Sequence, residues 1–187
     1  MFNTTHELDN KNIAILATDG FEESELFEPK KALEDAGAKV NIVSLKNGDI
    51  KAWKKTDWGK SIHVDSIVGD VDSNLFDALL IPGGVMNPDK LRNDKKAVDF
   101  VKTFVDAKKP IASICHGPQV LIETGITKGK TLTSWSSLKT DLTNSGANSV
   151  DREVVVDENL ITSRCPEDIP AFNKKMIEGF AATPKRN

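Results

Sequence analysis

Short apolar runs alternate with longer amphipathic stretches along most of this chain. Asn12–Ala17 (N-I-A-I-L-A) is nearly continuous in its apolar character, as expected of a strand covered on both faces. Thr18-Asp19-Gly20 turns, and residues 22–36 then read as a helix: Leu26, Ala32, Leu33 and Ala36 form an apolar stripe, and Gly37 suits the C-terminal cap. Val40–Leu45 is a second strand. Residues 46–64 carry N-G, W-K-K-T-D-W and S-I-H-V-D, the mark of a hairpin or irregular excursion.

Asp77–Ile81 reads as another buried strand, stopped by Pro82-Gly83-Gly84. A helix over 95–107 leads to a strand at Ile111–Ile114, and a further helix follows Cys115. Strands are expected near 131–133, 153–156 and 160–162, with a closing helix over 170–180. Strands separated by helices predict a mostly parallel sheet with right-handed crossovers and helices on both faces. The fold class expected is α/β, a single-domain flavodoxin-like (Rossmann-like) sandwich over residues 11–183, preceded by a flexible N-terminal tail at 1–10. Ligands of such sheets bind beyond the carboxyl ends of the strands. Three punctuated segments fall there: T-D-G-F-E-E-S-E, P-G-G and C-H-G-P.

Composition narrows the function classes. The chain has 187 residues, 39% apolar and 28% charged, with a formal net charge of −3. That length supports a sizeable core, and that charge gives no electrostatic ground for nucleic acid or an anionic membrane as partner. No apolar stretch reaches the length of a membrane span, and the opening M-F-N-T-T-H-E-L-D-N lacks the pattern of a signal peptide. Two cysteines, Cys115 and Cys165, point to a reducing compartment, the cytoplasm, rather than to a disulfide scaffold. Without clustered histidines they make no zinc site, so neither metal nor cofactor is expected.

The stretch P-I-A-S-I-C-H-G-P-Q (110–119) carries the strongest candidate chemistry. A strand that merely ends does not need Cys, His, Gly and Pro in succession. A nucleophile elbow does: its backbone doubles back, so small residues are required two positions either side of the nucleophile, here Ser113 and Gly117. Amide dipoles of the following helix favour a thiolate, and Pro118 fits an early helical position. The N–H of His116, with Gly83 or Gly84, would stabilise an oxyanion. The alternative is an inert buried thiol, since free cysteine is among the most buried residue types.

Here the sequence resembles the PfpI family of the class I glutamine amidotransferase-like superfamily, which includes intracellular cysteine proteases, general stress proteins and glyoxal-adduct deglycases. The resemblance runs from about Lys11 to Phe180 through F-E-E-S-E-L (21–26), D-A-L-L-I-P-G-G (77–84), A-S-I-C-H-G-P-Q-V-L-I (112–122), K-G-K-T-L-T-S (128–134), E-V-V-V-D (153–157) and T-S-R-C-P-E-D-I-P-A-F-N (162–173). It implies Cys115 as nucleophile, His116 as its adjacent partner, and a carboxylate against the sulfur: Glu25, with Glu22 second. Both acids would also suit a helix start for the sake of its dipole alone.

The family pattern adds an acidic residue from a neighbouring subunit, which maps to Asp89 and implies a homodimer or homohexamer. Asn87-Pro88-Asp89 equally reads as plain helix-start chemistry, with Asn as cap. No histidine follows His116, and His6 and His63 lie in the tail and the excursion, so the His-x-Glu pair of a glutaminase is absent. Trp135 stands where some protease-like members carry Tyr; an indole donates through nitrogen but cannot act as a phenolic acid. Cys165 is a tolerated substitute or a resolving thiol. Trp53 and Trp58, interleaved with Lys54 and Lys55, are expected at a subunit interface or against the body.

The function expected is a stress-response cysteine hydrolase acting on a small carbonyl or a peptide or protein substrate: a deglycase of methylglyoxal or glyoxal adducts, an intracellular peptidase, or a glyoxalase. The ending at 162–173 is similar to the stress-response deglycases. A non-enzymatic redox-sensing stress chaperone with an oxidisable Cys115 is the alternative. A phosphate carrier of similar topology fits poorly, because Phe21-Glu22-Glu23 stands where glycines and amides would be needed.

Overall fold

The computed structural model describes residues 7–182. In chain order it contains β1 (Asn12–Leu16), α1 (Glu23–Asp35), β2 (Lys39–Ser44), β3 (Asp49–Lys54), β4 (Asp57–His63), β5 (Ser66–Ile67), β6 (Ala78–Ile81), α2 (Met86–Arg92) and α3 (Lys95–Asp106). These are followed by β7 (Ile111–Ile114), α4 (Pro118–Thr124), β8 (Thr131–Leu132), α5 (Lys139–Asn144), β9 (Asn148–Ser149), β10 (Val154–Asp157), β11 (Leu160–Ser163) and α6 (Ile169–Ala182). The central sheet has seven strands in the order β10-β11-β7-β6-β1-β2-β5. Every pairing in it is parallel except that of the edge strand β10 with β11.

The apolar runs are explained by what covers them. Ile13, Ile15, Ala78, Leu80, Ala112 and Ile114 pack into the core under α1 and α6. Their neighbours Ala14, Leu16, Leu79, Ile81 and Ile111 pack into the opposite core with α3 and α4. Because side chains alternate across a strand, burial on both faces demands apolar residues at every position. Gly37 takes φ +96° just past α1, as a C-terminal cap requires.

Several expectations need correction. The strand near 131–133 does not join the main sheet; β8 pairs only with β9, in a small parallel ribbon. Two residues suffice for that pairing, too few to leave a periodic signal, and the same holds for β5. Of the expected tail, residues 1–6 lie outside the described residues, whereas 7–10 form a turn anchored by Leu8. Leu8 is fully buried and its N–H donates to Ala36 O at 2.9 Å. Asn87 is not a helix cap: α2 begins at Met86, and Asn87 is buried. Its Oδ1 accepts from Thr18 N–H at 2.7 Å and its Nδ2 donates to Pro82 O at 2.9 Å, clamping the end of β1 to the end of β6.

Candidate active site

The loops after β1, β6 and β7 meet at the carboxyl end of the sheet, and glycines set how closely. At Gly84, φ +83°, a Cβ would press on Gly20 O and come within 2.8 Å of Glu22 N. At Gly83 a Cβ would lie 2.7 Å from Cys115 Cβ and 2.8 Å from Ile114 O. No side chain fits either position, so the loop after β6 lies directly against the first turn of α1 and the end of β7.

Cys115 follows β7 at φ +62°, a left-handed conformation that a non-glycine residue adopts only when its surroundings enforce it. Its N–H donates to Ser163 O at 3.1 Å and its carbonyl accepts from Trp135 N–H at 2.9 Å. The requirement for small flanking residues is met as the elbow geometry dictates. A Cβ on Gly117 would run into Ser113 Oγ and stand 2.7 Å from Ile81 O. Gly117 caps α4, and Pro118 takes its first turn, where a missing N–H costs nothing.

Around the thiol, the structure brings together most of the predicted residues. His116 Nδ1 lies 3.3 Å from Cys115 Sγ. Its half-buried ring stacks on Trp135, with centroids 6.0 Å apart and planes 25° apart. Burial holds the imidazole below its ordinary pKa, so at neutral pH it is an uncharged group able to accept the thiol proton. Glu25 sits on the buried stripe of α1 with Leu26, Pro29 and Leu33. Its Oε2 accepts from Gly83 N–H at 2.9 Å, and its carboxyl faces the Cys115 thiol.

Burial pushes Glu25 up to about 8, and pushes the Cys115 thiol up as well; the carboxyl raises the thiol further, while the hydrogen bond with the thiol draws the carboxyl part of the way back down. The pair is therefore mostly neutral below about pH 8 and carries a single negative charge above it. Backbone N–H groups of Gly84 and His116, both aimed at the sulfur, favour placing that charge on Sγ. One expected oxyanion donor is corrected here: the N–H of Gly83 is committed to Glu25, which leaves Gly84 and His116.

The remaining candidates stand further out. Glu22 is the residue before α1, half-buried, and acts on Glu25 only through its charge. Asp89 lies exposed on α2, lining a shallow hollow with Arg92 and Glu123. Trp135 uses its backbone N–H and its ring face rather than its indole nitrogen. Trp53 and Trp58 pack on each other across the β3–β4 hairpin, 5.5 Å apart and nearly perpendicular. His63 pairs with Asp49 on the exposed side of the same hairpin, and His6 lies outside the described residues.

Cys165 is partly buried and unpaired, its pKa pushed up to about 11 by burial and by Glu167. Two residues that sequence reasoning missed shape the site: Asn87, which locks the loop after β6, and Glu167, whose charge reaches both Cys165 and Glu25. Asn87 was hidden by its resemblance to a cap. Glu25 could have been separated from Glu22 by periodicity, since it falls in register with Pro29 and Leu33 on the apolar stripe. Among the described residues no helix is long and apolar enough to cross a membrane.

This elbow, with its buried carboxyl and adjacent histidine on a parallel sheet, matches one family throughout. Residues 11–179 match the DJ-1/PfpI family, and the chain belongs to it. Three relatives come from bacteria. "Putative cysteine protease YraA" of Bacillus subtilis is 48% identical, covering 90% of this chain and 97% of the relative. "General stress protein 18" of the same species is 45% identical, with 89% and 96% covered. "Protein/nucleic acid deglycase 2" of Escherichia coli is 41% identical, with 92% and 99% covered. Among solved structures, Drosophila melanogaster DJ-1beta superposes with a TM-score of 0.83 at 32% identity, covering 92% of this chain and 91% of that one.

Proposed function

We propose that this protein is a stress-response cysteine hydrolase that removes methylglyoxal or glyoxal from nitrogen and sulfur adducts. The observation that carries this reading is the convergence of Cys115, His116 and the raised Glu25 carboxyl on one thiol at a strained elbow. A neutral histidine and a carboxyl titrating near 8 are proton carriers matched to neutral pH. The names of the Escherichia coli deglycase and of the Bacillus stress protein agree with it.

In an amine adduct of methylglyoxal, the Cys115 sulfur bonds to the hydroxyl-bearing carbon while the carbon–nitrogen bond breaks. The leaving nitrogen takes the proton that the thiol gave to His116. The resulting hemithioacetal loses its C–H proton to Glu25, which returns a proton to the neighbouring carbonyl carbon. The first carbon is oxidised by two electrons and the second reduced by two, giving a lactoyl thioester. Water hydrolyses that ester to lactate and restores the thiol. The N–H groups of Gly84 and His116 stabilise the oxyanions formed on the way. Free methylglyoxal would follow the same course from the hemithioacetal onward, which is the glyoxalase activity.

A peptidase is the second reading, favoured by the name of the 48% identical relative. In it the same sulfur attacks a peptide carbonyl. Asp89, exposed on α2, would then act on His116 of a neighbouring copy in a homodimer or homohexamer. Wild type and Cys115→Ala should be incubated with methylglyoxal-modified peptides, free methylglyoxal and unstructured casein, and the products followed by mass spectrometry. Cys115-dependent release of lactate from the modified peptides is expected. Cleavage of casein alone would establish the peptidase instead. Peroxide-dependent mass gain at Cys115 with no turnover would replace both readings with a redox sensor.

A further inference from the structure

Gly83 and Gly84 let the loop after β6 close on Glu25 and Cys115, but they leave its backbone free. Without a Cβ, neither residue restricts the rotation of its peptide planes as another residue would. Both planes must nevertheless be fixed, because each carries one N–H of the site. The Gly83 N–H donates to Glu25 Oε2 at 2.9 Å, and the Gly84 N–H faces the Cys115 sulfur. The groups that hold these planes lie on the far side of the loop.

A trans peptide sets its carbonyl opposite to its N–H, and no peptide bond among the described residues is cis. Pro82 O therefore shares a plane with the Gly83 N–H, and Gly83 O shares one with the Gly84 N–H. Both carbonyls accept from a single group, Asn87 Nδ2, at 2.9 and 3.3 Å. The Glu22 N–H also reaches Gly83 O, at 3.3 Å. Asn87 is fully buried, and its Oδ1 accepts from the Thr18 N–H at 2.7 Å. The position thus asks for one acceptor and two donors on a short planar side chain, which only a primary amide supplies. A carboxylate would set oxygen against two carbonyls, and glutamine would add a methylene to a closed site. Turning the amide over would face NH₂ to an N–H and oxygen to both carbonyls, so its partners fix its orientation.

We infer that Asn87 is a positioning residue: by holding Pro82 O and Gly83 O it aims the Gly83 N–H at the Glu25 carboxyl and the Gly84 N–H at the Cys115 sulfur. It acts through the two peptide planes and touches neither the sulfur nor the substrate. The inference rests on Cys115 as the nucleophile of the reading above. It holds for deglycase and peptidase alike, since both use the Gly84 N–H for the thiolate and for the oxyanion. Without the amide, the plane between Gly83 and Gly84 keeps only the long Glu22 contact, and its N–H is free to turn from the sulfur. The thiolate then loses one of its two backbone donors, while the titrating groups that face it, Glu25 and His116, stay in place.

The test compares Asn87→Ala with Phe104→Leu, a core change on α3 that lowers stability without altering the loop. Alkylation of Cys115 by iodoacetamide is followed at about pH 8 on folded protein, with the modified peptide identified by mass. Asn87→Ala should slow it about tenfold, and Phe104→Leu should match the wild type. On the adduct that the wild type turns over, Asn87→Ala should lower kcat about 10²-fold and leave KM within about threefold. Asn87→Ser, whose hydroxyl can hold one carbonyl, should fall between Ala and wild type in both readouts. A wild-type alkylation rate in folded Asn87→Ala, or a loss that Phe104→Leu reproduces, overturns the inference. If neither Asn87 variant folds, the wild type decides through the scalar coupling across the hydrogen bond from Asn87 Nδ2 to the Pro82 carbonyl carbon. That coupling is expected, and its absence overturns the clamp. A Cys115 unreactive in the wild type would sink the nucleophile reading instead, so the two failures remain distinct.

Discussion

Cys115 follows β7 and Cys165 follows β11, and these strands are parallel neighbours whose last residues, Ile114 and Ser163, stand side by side. Burial raises both thiols, yet their surroundings diverge within two residues of the strand ends. Cys115 turns into the left-handed region at φ +62° and meets two backbone N–H groups, an imidazole and a carboxyl. Cys165 continues in extended backbone, at φ −161° and ψ 170°, and meets the carboxylates of Glu167 and Asp168. One thiol has donors that can hold a negative sulfur, and the other has only acceptors that oppose it. Reactivity at this end of the sheet is thus a property of backbone direction, and residue type alone would not have separated the pair.

The sharpest way to break the comparison is to exchange the thiols' fates. Cys115→Ala should lower turnover by at least about 10³-fold, as removal of a covalent nucleophile does. Cys165→Ser should stay within about twofold, and steady-state kinetics on one adduct decides between them. A large loss from Cys165→Ser would show that the second thiol takes part.

Next is the elbow. Gly117→Ala forces a methyl against Ile81 O and Ile114 O and should destabilise the fold by about 3 kcal/mol. Gly125→Ala, at φ +77° in open space, should cost only about 1 kcal/mol. Urea denaturation of both variants checks the difference, and equal costs would mean the elbow is not tightly enforced.

Glu25→Gln probes the charge shared with the thiol. The folded carboxyl titrates near 8, against an ordinary value of 4.5. The folded state therefore binds the extra proton between those values, and wild-type stability falls as pH rises from 4.5 to 8. Gln removes that penalty. The variant should gain on wild type by a few kcal/mol between about pH 5 and pH 9, measured by denaturation at each pH. With no carboxylate to oppose it, Cys115 should also be alkylated several-fold faster in the variant at about pH 9. A parallel pH profile for the two proteins would deny the contact.

The smallest effect concerns the histidine. Trp135→Ala removes the ring on which His116 stacks and should lower kcat/KM about tenfold with little change in stability. Unchanged kinetics would mean that Sγ alone positions the imidazole.

Much of this was legible along the chain. Apolar runs bounded by Gly and Pro marked β1, β6 and β7, because strands buried on both faces must be apolar throughout. The small–x–Cys–x–Gly spacing marked the elbow, because its steric demand is local. Of the small ribbon, β8 was expected near 131–133, but β9 and its pairing with β8 left no trace, since two-residue strands are held by their context. Asn87 and Glu167 were missed because each acts on a segment far away in sequence.

The sequence by itself determined most of the elements, the parallel sheet and the elbow around the candidate nucleophile, all of which rest on short-range periodicity and local sterics. Only the tertiary structure decided that Gly83 serves the carboxyl instead of the oxyanion, and that Asn87 clamps the end of β1 to the end of β6 instead of capping a helix. Those facts depend on which loops meet beyond the strand ends. Hydrogen bonding, burial and charge act through space there, between residues that the chain itself holds tens of positions apart.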